Sequence, residues 1–299
     1  MKIIVCTLAT ALVLTLITAF ATPTEPLPSQ KITVLLYHAV LPYHLYYPLN
    51  ADNRHILSEE IFRQQMQYLY ENNFNTITAA QLIAFLNGGE DEDTELPENP
   101  ILITFDDGYL DNALIAAPIL RALDFTAIQF LIGEEIHNNA LLQLRDYPLQ
   151  FMGTHEIYAT KDVFAFASHT HAMHHRIDRI PVLRTATVEE ISADIEKSLA
   201  GPLTLSNVFA YPFGGHSENA IYALQKAGFD IAFIVRDGYV TVDSDPLMLP
   251  RFDITSTMTM SEFSQIVHGE FVCEIENDAP EIGTPLDSNN NYTSNIASP

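Results

Sequence analysis

Cysteine is almost missing from this chain: there are two in 299 residues, Cys6 and Cys273. Cys6 lies inside an apolar leader, so a processed chain would keep one thiol. That excludes an internal disulfide framework and leaves stability to the apolar core. Basic side chains are also scarce, 14 Lys and Arg against 38 Asp and Glu, for a formal net charge of −24. Such a balance argues against nucleic-acid partners and against electrostatic docking on anionic membranes. Internal repeats of the solenoid kind are absent.

The one long apolar run, Ile3 to Phe20, follows a lysine and ends in Ala19-Phe20-Ala21. Residues 1–21 therefore read as a signal peptide with a small-x-small cleavage site, or as an uncleaved N-terminal anchor, and the expected location is secreted, periplasmic or cell-surface. Residues 22–30 are Pro-rich and polar, as in a linker. Residues 31–273 form the domain, and 274–299, rich in Asn, Ser, Pro and acids, form a tail with too little apolar content to pack. Asn291-Tyr-Thr293 matches a glycosylation acceptor, a pattern common by chance. At ~150 residues per domain the length allows two domains, but α/β barrels often reach this size as one.

Strands and helices alternate. Apolar runs at Ile32–Tyr37, Ile101–Phe105, Phe125–Ile132, Val163–Ala167, Ser206–Tyr211 and Asp230–Val235 predict buried strands. Helical spacing of Phe62, Met66 and Leu69 after Ser58-Glu-Glu predicts a capped core helix, and Thr78 begins a shorter one. Further helices are expected over Asp111–Leu123, kinked or turned at Pro118, and over Thr187–Leu199, Ser217–Ala227 and Ser261–His268. This order implies parallel βαβ units closing into a barrel.

Two clusters carry chemistry. The strand Ile101–Phe105 stops at Asp106-Asp107-Gly108. A turn at the glycine lets two adjacent carboxylates converge on one cleft, one to hold a metal and one to move protons. The bland alternative is a helix cap and a solvated loop acid. The second cluster, Ser168-His-Thr-His-Ala-Met-His-His175, follows another strand. Four histidines in seven residues suit metal ligation better than packing, although a histidine-rich surface loop is the competing reading. His137 and His155 read as surface or packing residues. His38, Asp106, His169 and Tyr211 all fall at predicted strand ends, where α/β barrels gather their functional groups.

These motifs resemble the polysaccharide deacetylase family (carbohydrate esterase family 4). Thr104-Phe-Asp-Asp-Gly108 is similar to its first motif, Ser168-His-Thr170 with His174 to its second, and Tyr211-Pro-Phe-Gly214 to its third. The resemblance covers roughly residues 31 to 268. It implies a distorted (β/α) barrel with fewer than eight complete repeats, and a metal-dependent hydrolase removing acetyl groups from N-acetylglucosamine units of an extracellular or cell-wall polysaccharide. Asp107, His169 and His174 would bind one divalent ion, expected to be zinc, and Asp106 would be the general base. A backbone N–H near Tyr211 would stabilise the oxyanion.

Spacing and departures leave choices open. His169 and His174 are five apart, as in the branch resembling poly-N-acetylglucosamine deacetylases, while His171 and His175 show the commoner four. Many members carry an arginine in the third motif where this chain has Ala210. Arg251 is the candidate to orient Asp106, with a surface charge as the alternative. The general acid is His38, at the end of the first strand, or His268, on a helix; a structural role for His38 is the third option. Tryptophan is absent, so sugar stacking would fall to Tyr and Phe, with Tyr43, Tyr46 and Tyr47 lying just past His38. The expected partner is an N-acetylated polysaccharide, bound by a monomer. An O-acetyl esterase of xylan type, a non-catalytic glycan-binding module and an Asp106-nucleophile phosphatase are the other functions weighed. The last fits poorly with adjacent aspartates and with the negative charge.

Overall fold

Strands buried on both faces need nearly continuous apolar sequence, and runs such as Ile32–Tyr37 and Ile101–Phe105 satisfy this in a parallel sheet. The computed structural model describes residues 30–42, 53–89, 94–136 and 149–272. In chain order they form β1 (Thr33–Tyr37), β2 (Ala39–Leu41), β3 (Ile56–Ser58), α1 (Glu59–Glu71), β4 (Asn75–Thr76), α2 (Ala79–Asn87), β5 (Pro100–Phe105), α3 (Ala117–Ala122), β6 (Ala127–Leu131), α4 (Thr154–Ala159), β7 (Phe164–Ser168), β8 (Arg176–Ile177), β9 (Ile180–Pro181), α5 (Val188–Leu199), β10 (Val208–Ala210), α6 (Glu218–Ala227), β11 (Ile231–Phe233), β12 (Phe252–Asp253) and α7 (Met260–Val267). The leader, Tyr43, Tyr46, Tyr47, His137 and the tail lie outside the described residues.

The main sheet runs β11-β10-β7-β6-β5-β1-β12, with β4 added beside β5. Its paired strands are parallel. Its two ends are joined by one segment. Leu249 bridges Phe233 of β11, and three residues later Phe252 pairs with Leu35 of β1. The result is a (β/α) barrel with seven strands on its path, fewer than eight complete repeats, as the resemblance implies. The closing segment is short, and this places Arg251 inside the ring.

Helix starts follow the local chemistry. Ser58 accepts the Ile61 amide at 3.2 Å. Thr78, Thr187 and Thr259 each form a capping box with Gln81, Glu190 and Glu262; a cap of this kind contributes about 1 kcal/mol. Phe62, Met66 and Leu69 are fully buried against Tyr37 and Phe105, each worth roughly 1.5–3 kcal/mol of apolar transfer.

The region after the Asp-Asp turn departs from the expected single helix. Residues Asn112–Ala116 form a π-turn, with the Ala117 amide donating to the Asn112 carbonyl, and α3 restarts with Pro118 in its first turn. Proline has no N–H to give to the carbonyl four residues back, so the wide turn removes the unmet bond instead of kinking the helix. A hairpin of β8 and β9, unforeseen from the sequence, follows the histidine cluster.

Candidate metal centre and active site

Four strands of the ring deliver their next residue to the same mouth. His38 follows β1, Asp106 follows β5, His169 follows β7 and Tyr211 follows β10. Parallel register keeps them level: Tyr37 pairs with Phe105, and Leu131 of β6 with Ser168.

The Asp-Asp-Gly turn solves the problem of aiming two consecutive side chains into one cleft. Asp107 takes a left-handed conformation, φ +72°, and Gly108 follows at φ +82°. A Cβ on Gly108 would also lie 2.8 Å from Leu131 Cδ2, so both turn and packing call for glycine there. A non-glycine residue at positive φ costs on the order of 1–3 kcal/mol and persists only when its surroundings demand it. A buried amide pair supplies part of that demand: Gln129 Nε2 donates to the Phe105 and Asp106 carbonyls, and Asn112 Nδ2 donates to Gln129 Oε1. Neither amide was singled out from the sequence, because nothing local marks a buried glutamine as a turn support.

Asp107, His169 and His174 come together. Asp107 Oδ1 lies 3.1 Å from His174 Nε2 and 3.5 Å from His169 Nε2, and one ligand atom from each residue sits within 4.8 Å of the other two. His169 Nδ1 donates to the Ala210 carbonyl at 2.8 Å, which leaves the Nε2 lone pair facing Asp107. Two imidazoles and one carboxylate with a fixed tautomer fit a divalent ion with an open position. The rival pair is placed elsewhere: His175 Nδ1 bonds the Ala172 carbonyl, and His171 packs on Gly133. Thr170, at φ +71°, turns the loop between the two ligands. The loop is held from α5, where the Asp194 carboxylate accepts the His171 and Ala172 amides at 2.7 and 2.8 Å. Ser168 Oγ and Ser198 Oγ are 2.7 Å apart.

Asp106 faces the other side. Arg251 grips it with two bonds, Nη1 to Oδ1 at 2.7 Å and Nη2 to Oδ2 at 2.8 Å. The guanidinium also donates to the Ile234 carbonyl and to Thr104 Oγ1, and Phe130 and Phe233 flank it. It is fully buried. The surface-charge alternative for Arg251 is therefore excluded.

Burial by itself would raise the Asp106 carboxyl; the Arg251 guanidinium and then His169 reverse this and hold it below the ordinary range. Burial likewise opposes ionisation of Asp107, yet His174, and His169 when a proton instead of an ion occupies its Nε2, hold its carboxyl well below that range. For His169, burial is outweighed by the two carboxylates, and its pKa is raised. His38 goes the other way: burial lowers it, only partly offset by Asp107 and Asp106.

The remaining candidate residues differ in their surroundings. The Tyr211 amide is committed to the Phe233 carbonyl at 3.0 Å, and its buried ring packs on Phe209. Tyr211 therefore shapes the turn and does not itself donate into the cleft. Two residues on, Phe213 sits at φ +57°, and its ring lies 4.4 Å from that of His174. His268 is bound to the Tyr68 hydroxyl and packs on Phe74 at the end of α7, outside the group at the strand ends. His38 alone of the two candidate acids stands beside the carboxylates. His155 is exposed and bonded to Glu156.

Comparison with known proteins places the chain beside polysaccharide deacetylases. Residues 93–232 match the profile of a family described as polysaccharide deacetylase. YxkH of Bacillus subtilis is 25% identical over 232 residues, covering 77% of this chain and 76% of that protein. The poly-beta-1,6-N-acetyl-D-glucosamine N-deacetylase of Escherichia coli is 27% identical over 248 residues, 72% of this chain but 36% of its own length. Among solved structures, the Streptococcus pyogenes deacetylase PplD, in complex with acetate, superposes with a TM-score of 0.67 at 20% identity, over 80% of this chain and 99% of that one.

Proposed function

Because this chain belongs to the polysaccharide deacetylase family, we propose that it is an N-deacetylase of poly-N-acetylglucosamine-type glycans, working outside the cytoplasm with one divalent ion, zinc. The observation that carries the reading is the pairing of a His-His-Asp donor set with a separate, arginine-held carboxylate beside it.

Asp107, His169 and His174 would hold the ion. When bound, it supplies Lewis acidity, favouring ionisation of water and negative charge on a carbonyl oxygen. Asp106 stays ionised under the Arg251 guanidinium and takes the proton from the water that attacks the acetamide carbon. Arg251 fixes both carboxylate oxygens, so the base presents one orientation to that proton. The new C–O bond forms as the carbonyl π pair moves to oxygen. The Phe213 amide, in the third-motif turn two residues past Tyr211, is the donor assigned to that oxygen. His38 gives a proton to the sugar nitrogen as the C–N bond breaks, leaving acetate and a free amine. The lowered pKa of His38 favours the neutral ring, so its acid form is a minor one that thins as pH rises.

The name and sequence of the E. coli relative support a β-1,6-linked N-acetylglucosamine polymer as substrate. The apolar leader supports export. The test is acetate release from N-acetylglucosamine oligomers and from acetylated xylan, with and without chelator, in wild type and Asp106→Asn. Chelator-sensitive release from the amide substrate, lost in D106N, is expected. Release from xylan alone would make the protein an O-acetyl esterase. Activity that ignores both chelator and the substitution would end the proposed chemistry.

A further inference from the structure

Beside the Asp107 centre lies a second group with the same donor types. His38 at the end of β1, His55 just before β3 and Asp253 at the end of β12 each offer one ligand atom within 4.8 Å of the others. The fold assembles them for a simple reason. β12 pairs in parallel with β1, Leu36 beside Asp253, so the ends of both strands reach the barrel mouth together. The chain leaving β1 then folds back as β2 against β3, Ala39 opposite Ile56, and brings His55 to the same place.

The group is not satisfied internally. His38 Nδ1 is buried and has no hydrogen-bond partner among the described residues. The His38 and His55 rings lie 4.8 Å apart, centre to centre, at 51°. His55 Nδ1 and Asp253 Oδ1 are 3.3 Å apart, a long contact for a hydrogen bond. An unpartnered ring nitrogen on His38, with a second imidazole and a carboxylate each offering a ligand atom within 4.8 Å, is a donor set that a cation can share.

We infer that His38, His55 and Asp253 form a second, weaker site for a divalent transition-metal cation, and that filling it shuts the enzyme down. Two imidazoles and a carboxylate select zinc, cobalt or copper over magnesium or calcium, which prefer all-oxygen sites. The site is weaker than its neighbour for a stated reason. Arg54 Nη2 lies 3.4 Å from Asp253 Oδ2, and a cation entering must displace or outcompete that positive charge. The Arg54 side chain is 65% exposed and can turn away into solvent. A dication in the first site would add further repulsion. The inhibitory half of the inference rests on the reading of His38 as acid, since a ring whose one nitrogen is held by a cation can no longer take up the second proton that makes it an acidic imidazolium. The binding half does not.

The experiment starts from metal-free full-length protein and titrates zinc by calorimetry and by competition with a chromogenic chelator, then follows acetate release across the same range. Wild type should bind in two steps separated by at least 10-fold in affinity. His55→Ala should lose the weak step and keep the tight one, and Asp107→Asn should lose the tight step and keep the weak one. Acetate release in wild type should rise with the first equivalent and fall several-fold as the weak step fills; H55A should stay at its own maximum. One-step binding in wild type, or a weak step unchanged in H55A, overturns the second site. Two-step binding with the expected variant pattern sustains that site even where no acetate is released, an outcome that would count only against the deacetylase reading.

Discussion

Arg251 and Asp106, 145 residues apart, meet through two parallel bonds of 2.7 and 2.8 Å inside the barrel. The arginine sits in the short segment that joins β11 to β1, so ring closure and alignment of the base are one structural event. Replacing it with leucine strands a buried carboxylate. Arg251→Leu should cost roughly 3–5 kcal/mol in urea melts at neutral pH and about 100-fold in kcat through a misaligned base. Asp106 is held below its unfolded pKa, so its contribution to stability is present above the unfolded value and lost as pH falls through the folded one. In R251L that contribution shrinks and the acid limb of the rate profile moves to higher pH. Arg251→Lys, which keeps charge but not the fork, should fall between the two. A leucine variant with unaltered kcat and an unmoved acid limb would remove Arg251 from the site.

The Asp107–His169–His174 cluster makes the folded state a ligand for its ion. At a free ion concentration 100 times Kd, binding adds about 2.7 kcal/mol to stability. Thermal melts should therefore drop on adding chelator and recover with zinc. Asp107→Asn and His174→Ala should lose most of that response, keeping at most the smaller one contributed by the weaker His38–His55–Asp253 site. His175→Ala should keep the wild-type metal response, since His175 is turned to the Ala172 carbonyl. The reverse pattern, with His175 needed and His174 dispensable, would reassign the ligands.

Much of this arrangement is legible in the sequence. His38, Asp106 and His169 each follow a short apolar run, and the end of a buried parallel strand is a local signal that survives folding. Arg251 was ambiguous because its role depends on where the chain closes the ring, and Leu249-Pro-Arg-Phe252 is too short and too mixed to read as a strand. Gln129 and Asn112 were invisible for a related reason: a polar residue in an apolar run is indistinguishable by sequence from a fault in the run. Tyr211 falls at a strand end as expected; its own amide continues the ladder to β11, so the expected donor is a backbone N–H near it and not its own. His55 and Asp253 carry no motif at all; only the pairing of β1 with β12 and of β2 with β3 brings them beside His38.

Asp194 supplies no atom to the metal cluster yet holds the loop that does. Its buried carboxylate accepts the His171 and Ala172 amides, fixing the stretch between the two histidine ligands. Asp194→Asn offers an N–H where one of those amides needs an acceptor, so the loop should loosen while α5 stays folded. Zinc affinity should fall about 10- to 100-fold, as when outer-shell partners of other metal sites are removed. At saturating zinc, kcat should recover most of its wild-type value. Circular dichroism would confirm the intact fold. Equal zinc affinity in D194N and wild type would show that the loop holds its shape without this carboxylate.

Asp111 tests the electrostatics of the turn from below. Burial lifts its carboxyl from 3.8 to about 7, and Oδ2 has no hydrogen-bond partner among the described residues. Between these values the folded state binds more protons than the unfolded one, so stability falls as pH rises across that window and levels off above it. The full shift corresponds to a ceiling of about 4 kcal/mol. Because the residue is only partly buried, solvent screening reduces the expected effect to on the order of 1–2 kcal/mol. Asp111→Asn keeps the shape and removes the charge. Its advantage over wild type in urea unfolding, at fixed metal concentration, should open between pH 4 and 7 and stay constant beyond. A gap that is flat across that range would mean Asp111 ionises in the fold as easily as in water.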